Sequence, residues 1–266
     1  MKYRYALLII FILSLYNCDN PSAPKFQTEI SVFAILHPEW EHQEIFVYRT
    51  YENIADSVSE EDLFEKDARV TVSGYNQQIE FTYIYDADLR HSKYIDSTQR
   101  LIVVPGKQYE LRIESEFGTL KGKTTVPFPI RILAPEQGDS IEDKSDVEIR
   151  WNVVENAEGY IINLISPPVR NQFDENIFYI SRDKLCFNST DTLFVIPGKY
   201  ILYYDSHPHP HSEFIEENRR YTLKIMALDK NFKHHLFDGY DISGVTNGYG
   251  LFGSAVVDSL DFFVVR

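Results

Sequence analysis

A chain of 266 residues with 44% apolar and 14% aromatic side chains is long enough to bury one or two cores and too apolar to be disordered. Its 40 acidic side chains against 26 basic ones leave a net charge of −14, which repels phosphates and disfavours a nucleic-acid partner. Abundant Tyr and Phe beside only two Met suit sheets, where aromatic and β-branched side chains pack well, so the composition leans all-β.

The first residues carry a signal of their own. Lys2 and Arg4 precede an apolar run from Ala6 to Leu15, and polar Asn17, Asp19 and Asn20 follow, which is the layout of a secretory signal peptide. The run is too short to span a bilayer as a helix. Residues 1–17 are therefore expected to be removed on export. The stretch Leu15-Tyr16-Asn17-Cys18 resembles a lipobox through Leu15 and Cys18, and departs from it at Tyr16 and Asn17, where small residues are usual. The resemblance implies a lipidated Cys18 that anchors the mature chain in the membrane of the cell envelope, the outer membrane being the expected place. More than one acyl chain would make that anchor stable. Residues 18–25, with Pro21 and Pro24, then form a short tether. With Cys18 consumed, Cys186 has no disulfide partner, and its neighbours Leu185 and Phe187 favour an inert thiol on a half-buried strand over a nucleophile.

From residue 26 to 127 short alternating segments are separated by turn residues. Strands are expected at Thr28–Ile35, Ile45–Thr50, Ala68–Ser73, Ile79–Tyr83, Leu101–Val104, Gln108–Glu114 and Leu120–Val126, with a short helix in the acidic stretch Asp56–Asp67. About seven strands in about 100 residues is the complement of an immunoglobulin-like sandwich. Tyr109, Leu111 and Ile113 alternate with Glu110, Arg112 and Glu114, so one face points to a core and the other to water.

Pro127 and Pro129 mark a boundary, because proline cannot donate to a sheet ladder. In residues 128–266, Val147, Ile149 and Trp151 alternate with polar residues, Ala157-Glu158-Gly159-Tyr160 opens a strand, and Tyr221, Leu223, Ile225 and Ala227 form another. This set resembles a fibronectin type III domain. The interval between Tyr160 and Tyr221 is longer than that family allows, which implies an insertion around residues 166–219. The expected fold class is all-β, with two immunoglobulin-like or fibronectin type III-like sandwiches in tandem.

The lipoprotein-type start, Thr124-Thr125-Val126-Pro127 at the end of the first half and Gly248-Tyr249-Gly250-Leu251-Phe252-Gly253-Ser254 near the C-terminus resemble a family of bacterial envelope lipoproteins of unknown function. The resemblance implies an accessory protein beside TonB-dependent outer-membrane transport, and it carries no catalytic residues.

Chemistry-bearing residues are few. His207, His209 and His211 alternate, and on an extended strand would share a face toward a metal ion; the intervening prolines favour polyproline geometry, which splays them apart. His234-His235 adds two imidazoles. The glycines Gly248, Gly250 and Gly253 fit a hairpin or bulge, with Phe252 covering core, and not a dinucleotide fingerprint. Gly253-Ser254 lacks a nucleophile elbow. The resulting expectation is a non-catalytic binding or accessory module without a cofactor, with Tyr203 and Tyr204 as candidate contact residues beside an outer-membrane transporter or another envelope protein. The alternative is a metal-binding envelope protein that uses the His207, His209 and His211 cluster.

Overall fold

The computed structural model describes residues 26–51, 60–86, 91–142, 145–165, 169–171, 177–178, 181–198, 212–214 and 219–265. The chain is all-β, built as two sandwiches. The first half contributes β1 (Ile30–Leu36), β2 (Glu44–Arg49), the one-turn helix α1 (Glu60–Leu63), β3 (Arg69–Gly74), β4 (Gln77–Asp86), β5 (His91–Ile95), β6 (Gln108–Ser115) and β7 (Gly118–Thr125). In β1 and β6 burial alternates residue by residue, the register expected of strands with one face in a core and one in water. β4 turns a corner: Gln77 to Phe81 pair with β3, while Thr82 to Asp86 pair with β5. One strand thus serves both sheets of the sandwich. Val32, Val47, Val70, Leu111, Ile113 and Leu120 lie in the continuous core between them.

The second half adds β8 (Ile132–Ala134), β9 (Ser140–Glu142), β10 (Val147–Trp151), β11 (Gly159–Ile165), β12 (Val169–Asn171), β13 (Ile177–Phe178), β14 (Ser181–Asn188), β15 (Leu193–Ile196), β16 (Ser212–Phe214) and β17 (Arg219–Leu228). Helix α2 (Lys230–Lys233), a π-helical turn (His234–Asp238), β18 (Ile242–Ser243), β19 (Val245–Thr246) and β20 (Tyr249–Val265) complete it. One sheet runs β14–β11–β17–β20, a second runs β15–β10–β8, and β13–β12–β16 form a small third. Trp151 is buried edge-on to Tyr160, with ring centroids 5.5 Å apart. Tyr221, Leu223, Ile225 and Ala227 all face the core, as their alternation foretold. The segment read as an insertion is not a single block, since β14 and β15 within it are strands of the sandwich sheets.

β20 belongs to both sandwiches. Its first residues run parallel to β1, from Ser31 opposite Tyr249 to Leu36 opposite Ser254. Its later residues run antiparallel to β17, from Leu228 opposite Ala255 to Arg219 opposite Val264. β19 likewise joins the first sandwich, pairing with β7. The glycine-rich stretch is therefore no hairpin: β19 and β20 flank the turn at Asn247-Gly248 but pair with strands of the first half. Gly250 has φ of +102°, and a Cβ there would run into the carbonyl of Val32, so this close approach of β20 to β1 needs glycine. Phe252 is fully buried, as its expected core role requires.

One expected strand is absent. Leu101 to Val104 forms a loop that buries Leu101 and Val103, because its N–H groups donate to side chains instead of a ladder: Leu101 to Asp96 Oδ2, Ile102 to Gln77 Oε1 and Val104 to the Tyr109 hydroxyl. Its place in the sheet is taken by β5, whose Ser92 and Tyr94 point inward. The Tyr109 hydroxyl also donates to the Ile102 carbonyl at 2.8 Å, bracing the loop from the strand that follows it, in the manner of a tyrosine corner. Tyr109→Phe should lower stability by about 1–2 kcal/mol, since the Val104 N–H and Ile102 carbonyl both lose a partner. Chemical denaturation would show this as a shifted midpoint at unchanged slope.

Candidate functional site

Where the two sandwiches meet, the chain leaves β17 through Asp229, whose carboxylate accepts the Phe232 N–H at 2.9 Å and so caps α2. The π-helical turn ends at Gly239, which has the left-handed φ of +69° that glycine adopts readily. Phe232 packs with Leu228, Leu251 and Ala255 against Ile35, Ile161 and Met226. The helical segment therefore lies across β20 and touches strands of both sandwiches.

Beyond α2 the π-helical turn carries apolar side chains outward. Leu236 and Phe237 are 45% and 44% exposed, and Tyr240 just beyond is 55% exposed. The His235 ring lies 6.0 Å from that of Phe33, on the outer face of β1, and its Nδ1 is 3.1 Å from the Tyr240 carbonyl. Phe33 stands opposite Phe46 of β2, whose ring is 5.7 Å from that of His91. Tyr249, opposite Ser31 on the strand beside β1, adds exposed apolar surface. Isolated exposed apolar residues are ordinary, whereas rings contributed by several segments are the usual material of interaction surfaces. π-helical turns also recur at functional sites. His234 and His235 are held by ring contacts, His234 against Tyr240 at 5.5 Å, and not as a converging ligand pair.

At the start of α2, between β7 and β20, lies a buried polar cluster. Thr124 Oγ1 donates to Asp229 Oδ2 at 2.5 Å and lies 2.9 Å from the Ser254 hydroxyl, which donates to the Thr125 carbonyl at 3.1 Å. Asn231 Nδ2 donates to the carbonyls of Lys123 and Phe252 at 2.7 and 2.9 Å. These bonds join β7 of the first sandwich to the start of α2 and to β20. Burial pushes the Asp229 carboxyl up to about 6, against the opposing pull of the hydrogen bonds from Thr124 and the backbone N–H groups around it. Lys123, Glu158 and Lys230 line an adjoining cleft of about 310 Å³.

Cys18, Tyr203, Tyr204, His207, His209 and His211 lie outside the described residues. Cys186 falls on β14 opposite Ile161. Among the described residues no three His, Cys, Asp or Glu side chains are grouped to hold a metal ion, and no helix is long and apolar enough to cross a membrane. The aromatic face was missed in the sequence because it is assembled from residues far apart in the chain. The local signal was Leu236-Phe237, an apolar pair set among polar residues.

A family model described as "Domain of unknown function (DUF4249)" matches residues 16–235. No curated protein matches the sequence. Among solved structures, the chicken CNTN1 FN1–FN3 domains are similar at 12% identity and a TM-score of 0.25, over 90% of this chain and 65% of that one. The chain thus spans about two thirds of that structure's length. The fibronectin(III)-like modules of Clostridium thermocellum CbhA are similar at 9% identity and a TM-score of 0.24, over 89% of this chain and 94% of that one.

Proposed function

The chain belongs to the DUF4249 family, and we propose that it is a non-catalytic, lipid-anchored module of the bacterial cell envelope that docks on another envelope protein, with an outer-membrane transporter as the favoured partner. The observation that carries this reading is the row of outward-facing rings from Phe33 and Phe46 to Phe237 and Tyr240, set on a frame stiffened by a strand common to both sandwiches. Rigid aromatic side chains bury large area at small entropic cost, and they are the residues on which interface energy concentrates. The lipobox-like Leu15-Tyr16-Asn17-Cys18 supports the anchor and, with it, the envelope location.

Affinity purification of the full-length protein from detergent-solubilised envelopes tests the reading, with Cys18→Ser as the unanchored control. The expected result is specific recovery of an outer-membrane receptor, reduced at least roughly tenfold by Phe237→Asp with Tyr240→Asp, since each buried aromatic anchor contributes on the order of 1–2 kcal/mol or more. Recovery of the protein alone, or equal recovery by the double variant, would refute docking through this face. Mass spectrometry of the mature N-terminus should show an acylated Cys18; an unmodified residue there would remove the anchor.

A further inference from the structure

The outer face of the β4–β3–β6–β7–β19 sheet lies on the side of the first sandwich away from the aromatic row. Gly244, Val245 and Thr246 form a wall beside β7, and the face is concave there, with a groove of about 620 Å³. That size falls within the range of small-ligand sites.

Sheet register determines which side chains meet in the groove. Thr71, Arg112, Lys121 and Thr246 stand side by side on β3, β6, β7 and β19. In the next row but one, Gln78, Ser73, Glu110 and Lys123 do the same on β4, β3, β6 and β7. Arg112 directly opposes Lys121, and like charges in that position repel. Arg112 is drawn to Glu114 on its own strand at 2.6 Å, while the ammonium groups of Lys121 and Lys123 have no acceptor among the described residues. The groove thus gathers three cations against one carboxylate on a protein whose net charge is −14.

We propose that this groove binds an acidic oligosaccharide, with its carboxylates on Arg112, Lys121 and Lys123. The other lining groups select sugar over the alternative polyanions. Ser73, Gln78 and Thr246 offer hydroxyl and amide groups that both donate and accept, and Glu110, exposed opposite Lys123, adds an acceptor for sugar hydroxyls. Leu111 and Val245, the apolar lining residues, are buried, so the groove has no exposed ring on which a nucleic-acid base would stack and no apolar pocket for a peptide anchor. The site is separate from the docking face, and the two stand or fall independently.

Isothermal titration of the full-length protein in detergent tests the site, with hexagalacturonate as probe and maltohexaose and hexaglutamate as controls. Hexagalacturonate should bind with an affinity that falls as salt rises, and Lys121→Gln with Lys123→Gln should weaken it roughly tenfold or more. Both lysines lie on the solvent face, so the variant should keep the wild-type unfolding midpoint. Absence of hexagalacturonate binding, or binding unchanged in the double variant, overturns the site. Equal binding of hexaglutamate overturns the sugar assignment, because it would show a surface that takes any polyanion. Recovery of an envelope partner by the Lys121→Gln, Lys123→Gln protein bears on docking alone and should be unaffected.

Discussion

A fragment ending at residue 127 should fail to fold, whereas the chain from residue 26 to 266 should unfold in one cooperative transition. The first half by itself has seven strands and a well-patterned core, yet two of its edges are closed by residues from the far end of the chain. β20 covers β1, and β19 covers β7. Removing them exposes two unpaired ladders and deletes Leu251, Phe252 and Val245, all buried. Phe252 alone, whose ring would touch a Cβ placed on Gly122, contributes enough that Phe252→Ala should cost about 3–5 kcal/mol. That is a large fraction of the net stability of a whole domain. Calorimetry is the deciding measurement: the full chain should show one transition whose calorimetric and van't Hoff enthalpies agree, and Phe252→Ala should move that single transition without splitting it. Two resolved transitions, or a fragment that folds by itself, would mean the shared strand does not couple the halves.

The second large effect concerns pH. The folded protein holds the Asp229 proton up to about 6, whereas the unfolded chain releases it near 3.8. Between those values the folded state binds more protons than the unfolded one, so stability is greatest below the window and falls as pH rises through it. A difference of about two pH units corresponds to roughly 3 kcal/mol. Asp229→Asn keeps an oxygen that accepts the Phe232 N–H and removes the titration. The stability of this variant relative to the natural protein should therefore improve by about 2 kcal/mol between pH 4 and pH 7, as read from urea midpoints at each pH. Parallel profiles for the two proteins would show that Asp229 does not carry the dependence.

Much of the fold could be read from residue alternation. β6, β10 and β17 were legible because inward and outward residues alternate without a break, and β7 ends two residues before Pro127 as the proline requires. Leu101 to Val104 misled because an apolar run with alternate residues buried looks the same whether its N–H groups meet a strand or the side chains of Asp96, Gln77 and Tyr109. The dual pairing of β20 left no local mark; its long apolar run states burial and not the identity of its neighbours. Asp229 directly before a short helix was a readable cap, but its burial depends on Thr124 and Ser254, which local sequence does not bring near. The outward rings of Phe33 and Phe46 were hidden for the same reason, since pairing of β1 with β2 and packing of the π-helical turn are both needed to assemble them.

The strand common to both sandwiches also fixes an order of events in time. A chain made from its N-terminus presents β1 long before β20 exists, so the first sandwich must wait with an open edge until β20 has been added. Contacts this distant in sequence make folding slow, and an unclosed edge invites pairing with other chains in the interval. The same delay keeps a growing chain from locking into a compact body before β20 is made. A polypeptide that has to be threaded through a narrow passage while still unfolded would gain from such late closure.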